Sequence, residues 1–147
     1  MTAIYKRLEF RTQLEARWAA FFDLAGWKWH KNPVPVNNWC PDFRVEFECD
    51  HSECDGSHSL LVAVLPISKI EEFQFHPCLS YAYGVSVADQ GASRITEDGG
   101  AAFGTGPTVT RWEISHGSGG GVEDIYFRVP NADELWLKTE KLVATLP

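Results

Sequence analysis

Six consecutive apolar residues, Leu60-Leu61-Val62-Ala63-Val64-Leu65, constrain the fold more than any other feature of the chain. Side chains alternate between the two faces of a strand, so a run without a polar member needs cover on both sides. A central strand of a layered sheet meets that demand. Just upstream, Phe43, Val45 and Phe47 alternate with Arg44, Glu46 and Glu48, the pattern of a strand with one buried and one polar face. Residues 49–59 join the two runs, and the pair is predicted to form a hairpin.

Ahead of the hairpin, Leu14, Trp18, Phe21, Phe22 and Ala25 recur at helical spacing. Thr12 and Glu15 stand three apart, as in a capping box, and Gly26 can adopt the left-handed conformation that ends a helix. The spacing predicts a helix over 12–25. The stretch Trp27-Lys28-Trp29-His30 then leads to Pro33 and Pro35, which lack backbone donors and confine it to an edge strand or linker.

Beyond the hairpin, Ser68 to Phe75 reads as a short helix, with Ser68 and Glu71 in cap positions. Tyr81 to Val87 reads as a strand. The Gly-, Ala- and Asp-rich stretch Asp89 to Pro107 reads as a long connection. Thr108 to Ile114 has strand alternation, His116 to Gly121 a glycine loop, and Ile125 to Val129 the look of a short strand. Asn131 and Glu134 open a last helix to Leu146, with Leu135, Leu142 and Val143 on one face. The order predicts one α/β domain over 1–147, a mixed central sheet flanked by helices.

Composition narrows the class. Apolar residues make up 44%, which suits a globular chain, and no stretch is long and apolar enough to span a bilayer. Met1 to Arg11 lacks the apolar core of a secretory signal, so the expectation is a cytoplasmic protein without a membrane partner. In a reducing compartment, the four cysteines read as thiolates rather than disulfides. Net charge is −7, which argues against coating nucleic acid by bulk attraction. The balance is uneven, with +3 over residues 1–31 and −10 over the rest. Nucleic acid is therefore expected near the first helix, through Arg11 and Arg17, and the acidic remainder suits a basic protein partner.

Two constellations could carry chemistry. Cys49, His51, Cys54 and His58 fall within ten residues on the hairpin loop. Zinc takes four such nitrogen and sulfur donors in a tetrahedron, and neighbouring strand ends can converge them. A closed, structural Zn2+ site is expected, with His76 and Cys78 as substitutes. Cys40, in Trp39-Cys40-Pro41, is read as a small buried hydrophobe. The second constellation is Asp42, after Pro41 at the head of the hairpin, together with Glu15 on the helix. Paired carboxylates with a lysine hold a divalent metal that activates water beside a phosphate. The glycine loop precedes a strand rather than a helix and is read as a connection, and Ser115-His116 lacks a nucleophile elbow.

The blocks Phe10 to Trp27, Trp39 to Phe43 and Leu61 to Pro66 resemble small PD-(D/E)xK nuclease-like proteins of bacteria and their mobile elements, over roughly residues 5–75. The resemblance implies a restriction-endonuclease-like fold with Glu15 and Asp42 as catalytic positions. The family's acid-x-lysine would fall on Ala63 and Leu65, and both are apolar here. Lys69 or Glu46 would have to replace them. The leading expectation is a nuclease-fold protein with a degenerate site that acts by binding nucleic acid or a protein partner. The alternatives are an active DNA endonuclease using Mg2+ or Mn2+ at a rearranged site, and a zinc-stabilised acidic interaction protein of a prophage or mobile element.

Overall fold

The computed structural model describes residues 2–36, 39–49, 56–73, 75–81, 84–89, 92–116 and 119–145. The chain opens with a hairpin, β1 (Ala3–Tyr5) and β2 (Leu8–Phe10), followed by α1 (Gln13–Leu24). Strands β3 (Lys28–Lys31), β4 (Phe43–Glu48) and β5 (Ser57–Val64) come next. Two 3-10 turns, Ile70–Phe73 and Pro77–Tyr81, lead to a separate hairpin of β6 (Val85–Asp89) and β7 (Ala92–Glu97). The rest is β8 (Gly99–Phe103), β9 (Thr110–His116), β10 (Gly119–Glu123), the single turn α2 (Ile125–Arg128), α3 (Ala132–Thr139) and β11 (Ala144–Thr145).

Six strands form one mixed sheet in the order β10-β9-β8-β5-β4-β3. Only β5 and β8 run parallel within it, with Leu60 beside Gly99 and Val64 beside Phe103. A parallel pair needs a crossover, and within it the turns Ile70–Phe73 and Pro77–Tyr81 lie over one face of the sheet. Strand β5 is therefore covered twice, as its sequence predicts. Leu60, Val62 and Val64 pack with α1 and α3, while Leu61 and Ala63 pack with Trp39, Phe73 and Cys78 on the other face.

Helix α1 begins and ends as its sequence predicts. Thr12 Oγ1 accepts from the Glu15 N–H at 3.1 Å. At the other end Gly26 has φ +78, its N–H donates to the Asp23 carbonyl, and the Trp27 N–H donates to the Phe22 carbonyl at 2.8 Å. This double closure is sealed by stacking of the Phe22 and Trp27 rings, whose planes differ by 3°. Trp18 is fully buried between Phe21, Phe103 and Trp136, and its Nε1–H donates to the Gly104 carbonyl at 2.9 Å.

Several expectations from sequence are corrected. The stretch 89–107 is not one connection, because it contains β7 and the central strand β8. Its small residues are packing devices: a Cβ at Gly100 would collide with the Cys78 carbonyl, so the 3-10 turn can lie against β8 only where the side chain is missing. Tyr81 ends a 3-10 turn, and β6 starts at Val85. Ser68 caps no helix; its Oγ accepts from Thr105 Oγ1 at 3.3 Å. Of the glycine loop, His116 ends β9 and Gly119 to Gly121 belong to the edge strand β10, paired with β9.

Ile125–Arg128 is a helical turn rather than a strand, because the Asp124 carboxylate accepts from the Tyr126 N–H at 3.0 Å and the Ile125 N–H donates to Thr110 Oγ1. The last helix stops at Thr139 because the chain turns back to pair β11 with β1, and Asn131 makes no side-chain cap bond. Cys40 is exposed, since in the extended stretch Trp39 and Pro41 take the inward positions. Among the described residues, no helix is long and apolar enough to cross a membrane.

The close approach at Gly100 yields a prediction. Gly100→Ala should lower stability by about 1–3 kcal/mol through overpacking against backbone. Gly121→Ala, whose Cβ would enter open space, should change it by less than about 0.5 kcal/mol. Denaturant unfolding of the two variants checks this, and equal effects would contradict the packing account.

Candidate functional site

The loop before β4 and the start of α1 meet at one end of the sheet. Asp42 is locked in place by its backbone: its N–H donates to the Val62 carbonyl at 2.8 Å, and its carbonyl accepts from the Asn32 N–H at 2.9 Å. One carboxylate oxygen accepts from the Val64 N–H at 2.8 Å, and the other from Arg11. The same Arg11 Nη2 lies 3.1 Å from Glu15 Oε1. The two acids nominated by sequence are thus brought together, with a guanidinium joining them.

Burial and the Asp42 charge raise the Glu15 carboxyl above its ordinary value, while Arg11 pulls it down. The same contacts hold the Arg11 guanidinium more firmly charged. Glu15 therefore has a second role besides standing at the third position of the capped helix: its carboxylate also pairs with the Arg11 guanidinium. Sequence reasoning did not single out this Arg11 bridge. Its signal was the four-residue spacing of Arg11 and Glu15, the distance at which opposite charges meet across one helical turn.

Ala63 and Leu65 lie in the apolar layer on the other face, Ala63 fully enclosed and Leu65 half-buried. Asp42 touches this strand through the Val64 N–H. Glu46 sits farther along β4 and accepts from Ser57 Oγ at 3.2 Å, and Lys69 is exposed. Among the described residues neither joins the carboxylate pair. His76 does approach it. Burial lowers the His76 pKa and the Asp42 charge opposes that fall; its Nδ1 accepts from the Cys78 N–H at 3.1 Å.

Arg17, expected to meet nucleic acid, clasps α3 instead. Its Nε donates to Thr139 Oγ1 at 2.9 Å, its Nη2 to the Trp136 carbonyl at 3.0 Å, and its guanidinium lies 4.0 Å from the Trp136 ring centre. Arg11, by contrast, has a side chain 68% exposed.

The cysteine and histidine candidates divide differently from the sequence grouping. Cys49 follows β4 and donates its N–H to the Gly56 carbonyl, and His58 stands opposite Phe47. Both are buried, and both project to the helix side, two register steps apart along the hairpin. His58 Nδ1 lies 3.3 Å from the Asp98 carboxylate, which also accepts from the Ser59 N–H. Cys49 meets Arg128, whose guanidinium also makes two bonds to the Glu123 carboxylate. His51 and Cys54 lie outside the described residues. His76 and Cys78 belong to the opposite face, so they cannot substitute as ligands for Cys49 and His58. Burial pushes the Cys78 thiol up to about 12, which keeps it protonated. Among the described residues, no three His, Cys, Asp or Glu side chains gather as a metal would require.

Arg11→Ala should raise the Glu15 pKa, because it removes the cation that opposes burial and Asp42. A carboxyl whose folded pKa lies above its unfolded one favours the folded state below the unfolded value, and this contribution is lost as pH rises through the folded value. The variant should therefore lose stability most at neutral pH and least near pH 4. Carboxyl NMR titration with unfolding curves checks both, and an unmoved Glu15 midpoint would show that Arg11 does not bridge the pair.

Comparisons with family models, with curated proteins and with solved structures return no match to this chain.

Proposed function

We propose that the chain is a restriction-endonuclease-like protein that binds nucleic acid without cutting it. The observation that carries this reading is Arg11 lying across Glu15 and Asp42 while Ala63 and Leu65 stay in an apolar layer. A helix that delivers one acid to the head of a hairpin bearing another matches the order the nuclease resemblance implies. The residues do not fit a catalytic divalent metal, however. Such an ion is held by several carboxylate or carbonyl oxygens, and here a guanidinium already pairs with both acids, with no third acid or lysine beside them among the described residues. Loss of groups that stabilise developing charge costs orders of magnitude in rate.

What remains is a locked surface with an exposed cation, suited to meeting phosphate. Purified protein incubated with duplex, branched and single-stranded DNA in Mg2+ or Mn2+ should bind at low salt and leave the strands intact. Cleavage abolished by Asp42→Ala would overturn the reading in favour of an active endonuclease. Retention of a basic protein from host lysate, with no affinity for nucleic acid, would favour an acidic interaction protein.

The far end of β4 supports a second assignment, a structural zinc. Cys49 and His58 supply one sulfur and one nitrogen donor on the same face of adjacent strands, with the Asp98 carboxylate 3.3 Å from His58 Nδ1. His51 and Cys54 of the joining loop would complete four ligands. The ion would tie the two strand ends together and contribute to folding rather than to reaction. Elemental analysis of protein purified without added metal should give about one zinc per chain. His58→Ala should abolish it and lower the melting temperature, and metal-free wild-type protein of unchanged stability would remove the site.

A further inference from the structure

The turn between β1 and β2 carries Lys6 and Arg7, and both residues are left-handed, with φ 50 and φ 66. Tyr5 pairs with Leu8, so the connection has two residues. Two-residue hairpin turns with both residues left-handed favour Asn-Gly, because an L-residue with a long side chain is strained there. Here the strained positions hold two long cations. Both are exposed, but only Lys6 ties the turn to the helix, through Asp23; among the described residues Arg7 makes no hydrogen bond or ion pair. Strain that persists without a packing return is a mark of function.

The surroundings give that function a sign. Lys6 pairs with Asp23 at 3.1 Å, with side chains 64% and 28% exposed. Arg11 is 68% exposed against 12% and 15% for Glu15 and Asp42. In both pairs the acid is the inner member and the cation faces water. Lys31 lies between them, over the Phe10 ring and donating to the Glu9 carbonyl. Arg7, Lys6, Lys31 and Arg11 thus line the β1–β2 hairpin as outward cations, with Glu9 as the one exposed acid on that hairpin. Four residues of near-extended chain from Arg7 to Arg11 span about 13 Å. That is about four base steps of a nucleic-acid strand at 3.4 Å each.

We infer that the Lys6-Arg7 turn is a phosphate-contacting tip, and that its strain is retained to present Arg7 to a nucleic-acid backbone. The inference rests on the nucleic-acid reading above and names the surface that carries it. Phosphate contacts of this kind give affinity without sequence preference and respond steeply to salt.

Three variants of Arg7 test it in the full-length protein, by anisotropy with labelled duplex, branched and single-stranded DNA over a salt series. Arg7→Gln should bind less tightly, with the slope of log affinity against log salt reduced by about one, and its melting temperature should stay unchanged. Arg7→Gly should lose the same affinity yet melt about 2–5 °C higher as the strain is relieved. Arg7→Lys should keep the salt slope. If the unsubstituted protein binds none of the three DNAs at low salt, the nucleic-acid reading fails and takes the tip with it. If it binds and Arg7→Gln binds equally well, the tip alone is overturned. An Arg7→Gly protein that melts no higher than its parent would likewise overturn the tip, because no strain would have been stored.

Discussion

Burial of β5 on both faces governs the molecule. A strand without polar side chains has to be sandwiched, and its parallel neighbour β8 can be reached only by a long crossover. That crossover lays two 3-10 turns on one face while α1 and α3 cover the other. The demand for closeness then passes to β8, where Gly99 and Gly100 admit the backbone of the second 3-10 turn and Ala101 and Ala102 are fully buried. The same burial decides the chemistry. A charge at position 63 would have to enter a dry layer lined by Trp39, Phe73 and Cys78, where an unpaired ion is costly. Retaining the apolar layer and hosting an acid-x-lysine pair on this strand are incompatible demands, and the sequence meets the first.

Once those positions are apolar, the carboxylate pair needs another counter-charge. Two acids held close together repel, and burial raises the cost of keeping Glu15 ionised. Arg11 relieves both effects from the solvent side. Its side chain is 68% exposed, so the cation offsets one of the two negative charges while still facing solvent. A lysine in its place would offer a point charge rather than a planar fork and would join two carboxylates less well. Arg17, one helical turn and a half farther on, is consumed by α3 and adds nothing to that surface.

The parts legible in the sequence are those where a local rule and the tertiary fold agree. Thr12, Glu15 and Gly26 mark the ends of α1 because caps act within one turn of chain. The alternation in 43–48 and the apolar run after it give the hairpin, although β5 starts at Ser57, inside the stretch read as the joining loop. What stayed hidden was decided by contacts across the fold. β8 looks like a loop because small residues are used there for close approach, α2 looks like a strand because Thr110 and Asp124 hold it helical, and β11 exists only because β1 offers an edge. In the candidate site, Glu15 and Asp42 were singled out from the sequence, and one Arg11 nitrogen lies against both. Arg17's partner lies more than a hundred residues away, beyond the reach of any local pattern. The grouping of His76 and Cys78 with Cys49 and His58 failed for a related reason. Sequence proximity says nothing about which face of a sheet a segment crosses.

Strand β4 links the two candidate regions and also separates them. Asp42 precedes it and Cys49 follows it, seven residues apart, or about 23 Å of extended chain. At that distance, charges screened by solvent interact little at physiological salt, where the screening length is about 8 Å. The contacts differ as well: Arg11 and Glu15 act through the start of α1, whereas Cys49 and His58 act through Arg128 and Asp98. Changes at the two ends should therefore add when combined, as expected for sites without shared partners. If Arg11 and His58 substitutions instead proved strongly coupled, the coupling would have to run along β4 itself, and the two ends would be parts of one site.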